Sequence, residues 1–462
     1  VYSGQVPGRD FVVTFPASLY LLTALSFRLF GVTWHALSLG ACCVYAALLL
    51  LGLRLGALVR KNSGEQPALW TVLAYAAGQT IPLLSINYLW HASLSQSFGL
   101  YAVYAAFAIV NSRSQANRWR HREAFIHLAF ACACLLLSKP NTAFPVILLC
   151  LFALRCAQVS RLQIAALLAS ALVLITLALA RVHVTPWGML GAYAGLTGRL
   201  LPRAFANGIL YALYARYGLA NLLVYSILAP AIFAAAVWFW RERPRILTDP
   251  NLLLAFGSIT IAILGMGTNF DFKLTDAPLA LFGLGILSVQ QIAALRTLPF
   301  RTAITAVALL LVALYFGRTR LRMQNVGSWA EEQCPGRLPF VDRFLGHLTA
   351  CPIVPATLTE VDQTLAASPT ARVFFGPSLE FLYAARHLPS PPHLPNWWDP
   401  GSSYPLRKSD QVSKAWEDNH FNLLIFNREE DRAQLPARLQ QDLATGYVLV
   451  PGTTFIHVYR PR

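Results

Sequence analysis

The sequence predicts an all-α polytopic membrane protein carrying a small α/β domain at its C-terminal end, and three observations predict it. Of 462 residues, 56% are hydrophobic and 13% are charged, with a mean hydropathy of +0.50. Soluble domains carry about twice that charge. Apolar runs recur near the roughly 20 residues a helix needs to cross a bilayer. The formal charge of +16 is unevenly spread: residues 1–317 hold 22 Lys/Arg against 7 Asp/Glu, and residues 318–462 hold 15 against 14. A basic excess confined to the apolar part is what the positive-inside rule produces. No basic stripe lies on a soluble face, so nucleic acid is not an expected partner.

The chain opens on Val1, and neither a signal peptide nor a lipidation motif precedes its first polar segment. The sequence is therefore expected to begin downstream of the natural N-terminus. Residues 14–30 form a short apolar run broken by Pro16, Ser18 and Arg28. It is read as an interfacial helix on the outer surface; spanning is the other reading. Ten spanning candidates follow, near 34–57, 68–86, 92–110, 124–137, 142–156, 162–181, 219–240, 251–267, 277–295 and 301–317. If each crosses once, Arg54, Arg60, Lys61, Arg113, Arg118, Arg120, Arg122, Arg155, Arg161, Arg241, Arg243, Arg245, Arg296 and Arg301 all fall on one side. That side is cytoplasmic.

Three domains result: 1–33, a first outer loop with its interfacial helix; 34–317, the transmembrane body; and 318–462, an extracytoplasmic α/β domain. Strands are expected at 372–375, 421–426, 447–450 and 455–459, and helices at 378–386 and near 435–444. Six cysteines lie in apolar runs. Cys334 and Cys351, 17 apart, are the two in the tail, and outside the cytoplasm they are expected to form a disulfide.

The polar residues left on the outer side form a constellation. Asp10 sits in the first loop, and His91 lies in the 87–92 turn. Lys139 and Asn141 stand in Ser138-Lys-Pro-Asn-Thr142, and Arg199 and Arg203 in the 182–218 connection. Asn269, Asp271, Lys273 and Asp276 occupy a polar island between two apolar runs. Lys and Arg at the outer headgroup level suit an anionic ligand such as a phosphate. A carboxylate among them suits a base that deprotonates an acceptor. Blander readings stand beside these. Asp271 and Lys273 form a structural ion pair, Lys139 snorkels from a helix end, and His91 packs. Trp397 and Trp398 either stack on a sugar or fill the core of their own loop. No zinc-ligand spacing occurs, and no P-loop, GxGxxG or Ser-His-Asp pattern is evident. No cofactor is expected; a divalent metal is compatible with the chain but is not indicated.

Gly4-Gln-Val-Pro-Gly-Arg-Asp-Phe11, followed by Pro16, Tyr20 and Phe27-Arg-Leu-Phe-Gly31, resembles the first outer loop of the GT-C glycosyltransferases. These polyprenyl-phosphate-sugar-dependent enzymes include protein O-mannosyltransferases and lipid A aminoarabinose transferases. Ser138-Lys-Pro-Asn141 and Thr268-Asn-Phe-Asp-Phe-Lys-Leu-Thr-Asp276 are similar to later outer elements of bacterial members. The chain departs from the motif at Gly8, where an aromatic is usual. The resemblance implies a multi-pass enzyme of the bacterial cytoplasmic membrane. It would move a sugar from a polyprenyl-phosphate carrier to a lipid, glycan or protein acceptor by inverting displacement. The family's acid lies in the first outer loop, often upstream of the motif, so it is Asp10 or a residue preceding this chain. Lys139, Lys273, Arg199 and Arg203 would hold the lipid phosphate. Asn141, Asn269, Asp271, Asp276 and His91 would be polar residues of the substrate site. The competing class is a transporter or flippase for an anionic lipid or solute. It predicts charges in mid-helix and inverted repeats, and the sequence has neither.

Overall fold

The computed structural model describes residues 17–63, 72–73, 75–81, 89, 91–112, 118–185, 187, 189, 250–268, 279, 282–283, 286, 336, 338–396, 398, 403–404, 408–427 and 434–462. Among the described residues, the apolar part shows seven long helices: α1 (Ala17–Phe30), α2 (Trp34–Ser63), α3 (His91–Ser112), α4 (Arg118–Ser138), α5 (Pro140–Cys156), α6 (Arg161–Arg181) and α7 (Pro250–Thr268). Among the described residues, three segments are long and apolar enough to cross a membrane: Trp34–Ala57, Ser93–Val110 and Arg161–Arg181. The candidates at 219–240 and 301–317 lie outside the described residues, and most of 277–295 does too.

Helix α3 is the hub. It packs against α2, α4, α5 and α7, and 94% of its apolar window is buried. Lipid tails are as apolar as leucine, so close packing rather than hydrophobic transfer holds such helices together. Small residues permit it. Gly99 sits against Ile261, and Gly257 against Val103. Those two contacts also set α3 and α7 antiparallel. Helix α6 shows the opposite economy: Leu167, Ala171, Ile175 and Leu179 form one buried stripe at four-residue spacing, facing α4. Leu172, Val173 and Leu177 are exposed on its other faces, which suits a helix bathed in lipid. Its start is fixed by a capping box in which the Gln163 N–H donates to Ser160 Oγ and the Ser160 N–H donates to Gln163 Oε1.

Helix α1 has 14 residues, a length of about 21 Å, short of the hydrocarbon core. It packs on α2 and α4 and turns into α2 through Gly31, whose φ is +82°. Leu25 and Leu29 stay exposed along it.

Residues 338–462 make a sheet-based module. Strands β1 (Leu338–Asp342) and β2 (Gly346–Ala350) form a hairpin. Strands β3 (Val373–Phe375), β4 (Leu423–Asn427), β5 (Tyr447–Leu449) and β6 (Ile456–Pro461) form a mixed sheet in the order β3-β4-β6-β5, with β3 and β4 parallel. The helices are α8 (Ile353–Ala366), α9 (Phe381–Ala385), α10 (Ser409–Asn419) and α11 (Ala437–Gly446). Side-chain alternation gives the sheet two buried faces. Phe374, Leu424 and Phe426 enter one cluster with Trp398 and Trp416. Phe375, Leu423 and Ile425 enter the other with Leu358 and Val361. The expected strands all form, each within two residues of its expected bounds. The hairpin and helices α8 and α10 were not expected.

Polar ties lock the module. The Glu360 carboxylate accepts the N–H groups of Thr454, Phe455 and Ile456 at 2.6, 2.7 and 3.0 Å. Arg386 joins Asp342 and Asp362 at 3.1 and 2.6 Å. Burial by itself would raise the Asp342 carboxyl. The Leu345 and Phe344 N–H groups and Arg386 more than offset it and hold Asp342 below the usual carboxylate range.

Cys351, directly after β2, is disulfide-bonded, whereas Cys42, Cys43, Cys132, Cys134, Cys150 and Cys156 are free thiols. Cys334 lies outside the described residues. A denatured, unreduced sample is expected to expose six maleimide-reactive cysteines and to give one cross-linked peptide containing Cys334 and Cys351. Eight reactive thiols, or Cys351 joined to a different cysteine, would refute that pairing.

Candidate functional site at the non-basic end of the bundle

Pairwise contacts fix which helix ends lie together. Leu89 N–H donates to Leu37 O at 3.3 Å, which brings the approach to α3 beside the start of α2. Gly56 of α2 lies beside Tyr104 of α3, so these two helices run parallel. Arg54 of α2 binds Glu123 of α4, and Tyr101 of α3 binds His127 of α4. The start of α4 is therefore level with the far ends of α2 and α3. The α3–α7 register puts the end of α7, Thr268, level with the start of α3. One end of the bundle thus gathers the 31–33 corner, the His91 start of α3, the Ser138–Pro140 elbow and the last turn of α7. The other end carries Arg54, Arg60, Lys61, Arg118, Arg120, Arg122, Arg155 and Arg161.

The elbow is a one-residue turn. Lys139 N–H still donates to Leu135 O at 2.9 Å, closing α4, while Lys139 O accepts from Thr142 and Ala143 N–H at 3.1 and 3.0 Å, opening α5. Pro140 takes the first helical position, where its missing N–H is not needed. Lys139 is 7% exposed. A snorkelling lysine reaches for water; this one is enclosed, so the snorkelling reading fails. A buried ammonium is costly unless it is paired or used. Asn141 is half-buried on the next turn. Thr142 beside it is buried, and its Oγ1 has no hydrogen-bond partner among the described residues.

A second polar set lies between α2, α3 and the 72–81 helical segment. Gln79 Nε2 donates to Tyr75 OH and Ser97 O at 3.1 and 2.8 Å, and Tyr75 OH donates to Leu48 O at 2.9 Å. The Tyr45 hydroxyl sits near the Ser93 and Ser97 hydroxyls. None of these three oxygens makes a well-aligned hydrogen bond among the described residues, and neither does Gln79 Oε1. Buried oxygens with spare capacity call for water or a polar ligand. The sequence carried a signal for this group in Ser93-Leu-Ser-Gln-Ser97, a polar repeat inside an apolar run. The candidate site drawn from sequence missed it because none of its residues is charged.

The module docks on the same end. Trp34 N–H donates to Phe344 O at 2.7 Å. Gly346, with φ +75°, lies against the His35 ring, where any Cβ would collide. Phe27, Val32 and Trp34 pack on one of the module's two cores.

The other predicted residues divide plainly. Asp10, Arg199, Arg203, Asn269, Asp271, Lys273, Asp276, Trp397 and Cys334 lie outside the described residues. His91 is placed as the first residue of α3, at the gathered end. Trp398 requires a correction. It is 1% exposed and packs edge-on against Phe374 and Tyr404, with ring centroids 5.6 and 6.2 Å away. A buried indole offers no face to a sugar, so Trp398 belongs to the core. The module instead holds a carboxyl that sequence reasoning passed over. Burial pushes Glu380 up to about 7, against the pull of backbone N–H donors that include Trp398 at 3.2 Å. Among the described residues, no cluster of His, Cys, Asp and Glu could hold a metal ion.

No protein-family model matches the chain, and no curated protein matches it. Two solved structures align over most of its length. ArnT from Cupriavidus metallidurans bound to undecaprenyl phosphate is 14% identical, with 96% of this chain and 87% of that chain covered and a TM-score of 0.40. ArnT from the same organism in the apo state is 13% identical, with 97% and 88% covered and a TM-score of 0.38. A likeness of this degree assigns no residue and no activity.

Proposed function

We propose that this chain is a polyprenyl-phosphate-sugar-dependent glycosyltransferase of the bacterial cytoplasmic membrane, working at the extracytoplasmic end of its helical bundle. The observation that carries the reading is the enclosed Lys139. It stands at the end opposite the basic one, where the start of α3, the Ser138–Pro140 elbow and the last turn of α7 meet and the 338–462 module docks. By the positive-inside rule the basic end is cytoplasmic, which puts Lys139 and the module outside.

In the proposed reaction an acceptor hydroxyl or amine attacks the anomeric carbon. Its proton passes to an outer-loop carboxylate, Asp10 or a residue upstream of it. The bond from that carbon to the phosphate oxygen breaks, and the lipid phosphate leaves with the electron pair. Lys139, Lys273 and one of Arg199 or Arg203 stabilise the charge that develops there. A phosphate leaving group held by two or three cations needs little acid catalysis. Asn141, Asn269, Asp271, Asp276 and His91 would position the sugar. The polar set around Gln79 can accept hydrogen bonds from a hydroxylated ligand, and the module would cover the site or bind the acceptor.

The reading is tested with the full-length gene product in membranes, a panel of radiolabelled polyprenyl-phosphate sugars, and the Lys273→Ala and Asp10→Asn variants. Carrier-dependent release that falls at least about a hundredfold in Lys273→Ala supports it. Release that survives Asp10→Asn alone moves the base upstream. Absence of release with every carrier would overturn the assignment in favour of lipid transport.

A further inference from the structure

A serine or threonine inside a helix commonly turns its hydroxyl back onto the carbonyl four residues earlier. The bundle follows this habit. Ser26, Ser138, Ser170, Thr176 and Ser258 donate to the O atoms of Leu22, Cys134, Ala166, Leu172 and Leu254 at 2.7–2.9 Å. Thr142 does not. It is 1% exposed, and its Oγ1 has no hydrogen-bond partner among the described residues. The cause is the elbow. Thr142 stands in the first turn of α5, so the carbonyl four residues back is that of Ser138, the last residue of α4. Between them Lys139 is extended, with φ −161° and ψ 93°, which breaks the helical path that would bring the two together. A buried hydroxyl left in this way keeps a proton to donate.

The surroundings say what would accept it. Helix α5 runs 17 residues from Pro140, and Thr142 lies at its positive dipole end. The enclosed Lys139 is the N-cap of the same helix. Helix α5 packs on α3, α4 and α7, and Thr142 is on its buried face, at the end of the bundle where the start of α3 and the last turn of α7 meet. A cation, a helix N-terminus and a buried O–H donor together suit an oxygen of an anion. A sugar hydroxyl is neutral and gains little from the first two.

We infer that Thr142 is a phosphate ligand: its hydroxyl donates to an oxygen of the lipid phosphate that Lys139 holds. The inference rests on the glycosyltransferase reading for the presence of that phosphate. It adds a neutral donor that fixes the direction of one phosphate oxygen, where the ammonium supplies charge.

Native mass spectrometry of the full-length protein in detergent tests this with undecaprenyl phosphate and undecaprenol, which differ only in the phosphate. Thr142→Val keeps the shape and removes the donor. It should bind undecaprenyl phosphate about tenfold more weakly than wild type, the loss expected for one hydrogen bond to a charged group, and bind undecaprenol equally well. Thr142→Ser and Thr142→Ala differ from each other by one oxygen and should show the same tenfold gap, which serves if the valine variant does not fold. A wild-type protein with no preference for the phosphate over the alcohol would sink the glycosyltransferase reading and this inference with it. Weakened phosphate binding in Lys139→Met beside wild-type binding in Thr142→Val would overturn the Thr142 role alone. An equal loss for undecaprenol would mark a packing defect and overturn it as well. So would displacement of the lipid by an equimolar amount of inorganic phosphate, which would give the hydroxyl to free phosphate.

Discussion

Lys139→Ala is expected to lower sugar release by about two to three orders of magnitude, the loss seen when one preorganised donor to a developing anion is removed. The size follows from where the ammonium sits. In water two unit charges 4 Å apart interact by about 1 kcal/mol, and at an effective dielectric near 20 by about 4 kcal/mol. An enclosed lysine works nearer the second figure. Lys139→Met keeps the stem volume and should lose the same activity, while Lys139→Arg should recover part of it. All three proteins should melt within a few degrees of wild type, because the elbow is built by backbone bonds and Pro140 rather than by the ammonium. If Lys139→Met turns over normally with a wild-type melting temperature, Lys139 does not hold the leaving group. If it fails to fold, the lysine is a structural ion-pair partner.

The second large effect lies in the module. Burial pushes Glu380 up to about 7, against about 4.3 for an ordinary glutamate. The raised folded value fixes the sign. Below the unfolded value both states are protonated and the module has its full stability. As pH climbs from there through about 7, the unfolded state gives up its proton first and stability falls; above 7 it levels off. The expected fall is on the order of 3 kcal/mol. Glu380→Gln cannot ionise and keeps an acceptor for the Trp398 N–H. Its melting temperature should stay flat between pH 5 and 8 and exceed wild type at pH 8. Tryptophan fluorescence reads this directly, since Trp398 and Trp416 lie in the core beside Phe374. Parallel pH profiles for the two proteins would rule it out. Asp342, held low, acts in the opposite direction and only at more acid pH.

The sequence showed the helices well because membrane helices carry their signal locally. Backbone groups in hydrocarbon must bond within their own segment, so a long apolar run already implies a helix. That is why 34–57, 92–110, 124–137, 142–156, 162–181 and 251–267 each correspond to a helix in the structure. The α/β alternation of the tail was legible for a related reason: near-continuous apolar runs such as Phe421–Phe426 mark strands buried on both faces. Trp397-Trp398 was not legible. Two adjacent indoles look the same in sequence whether they cover a ligand or fill a core, and the edge-on packing of Trp398 on Phe374 decides for it.

Length and hydropathy determined by themselves that this is a mostly helical chain with segments apolar enough to cross a membrane. They also marked Ser138-Lys-Pro-Asn141 as a polar break worth explaining. Tertiary structure alone decided that Lys139 is enclosed, that the start of α3 and the last turn of α7 share its end of the bundle, and that the β1–β2 turn docks beside them on Trp34 and His35. The reason is physical. Secondary structure in a bilayer follows from each segment's own hydrogen bonding. Enclosure and the meeting of helix ends depend on which small residues, such as Gly99 and Gly257, let two particular helices approach, and that is a property of pairs.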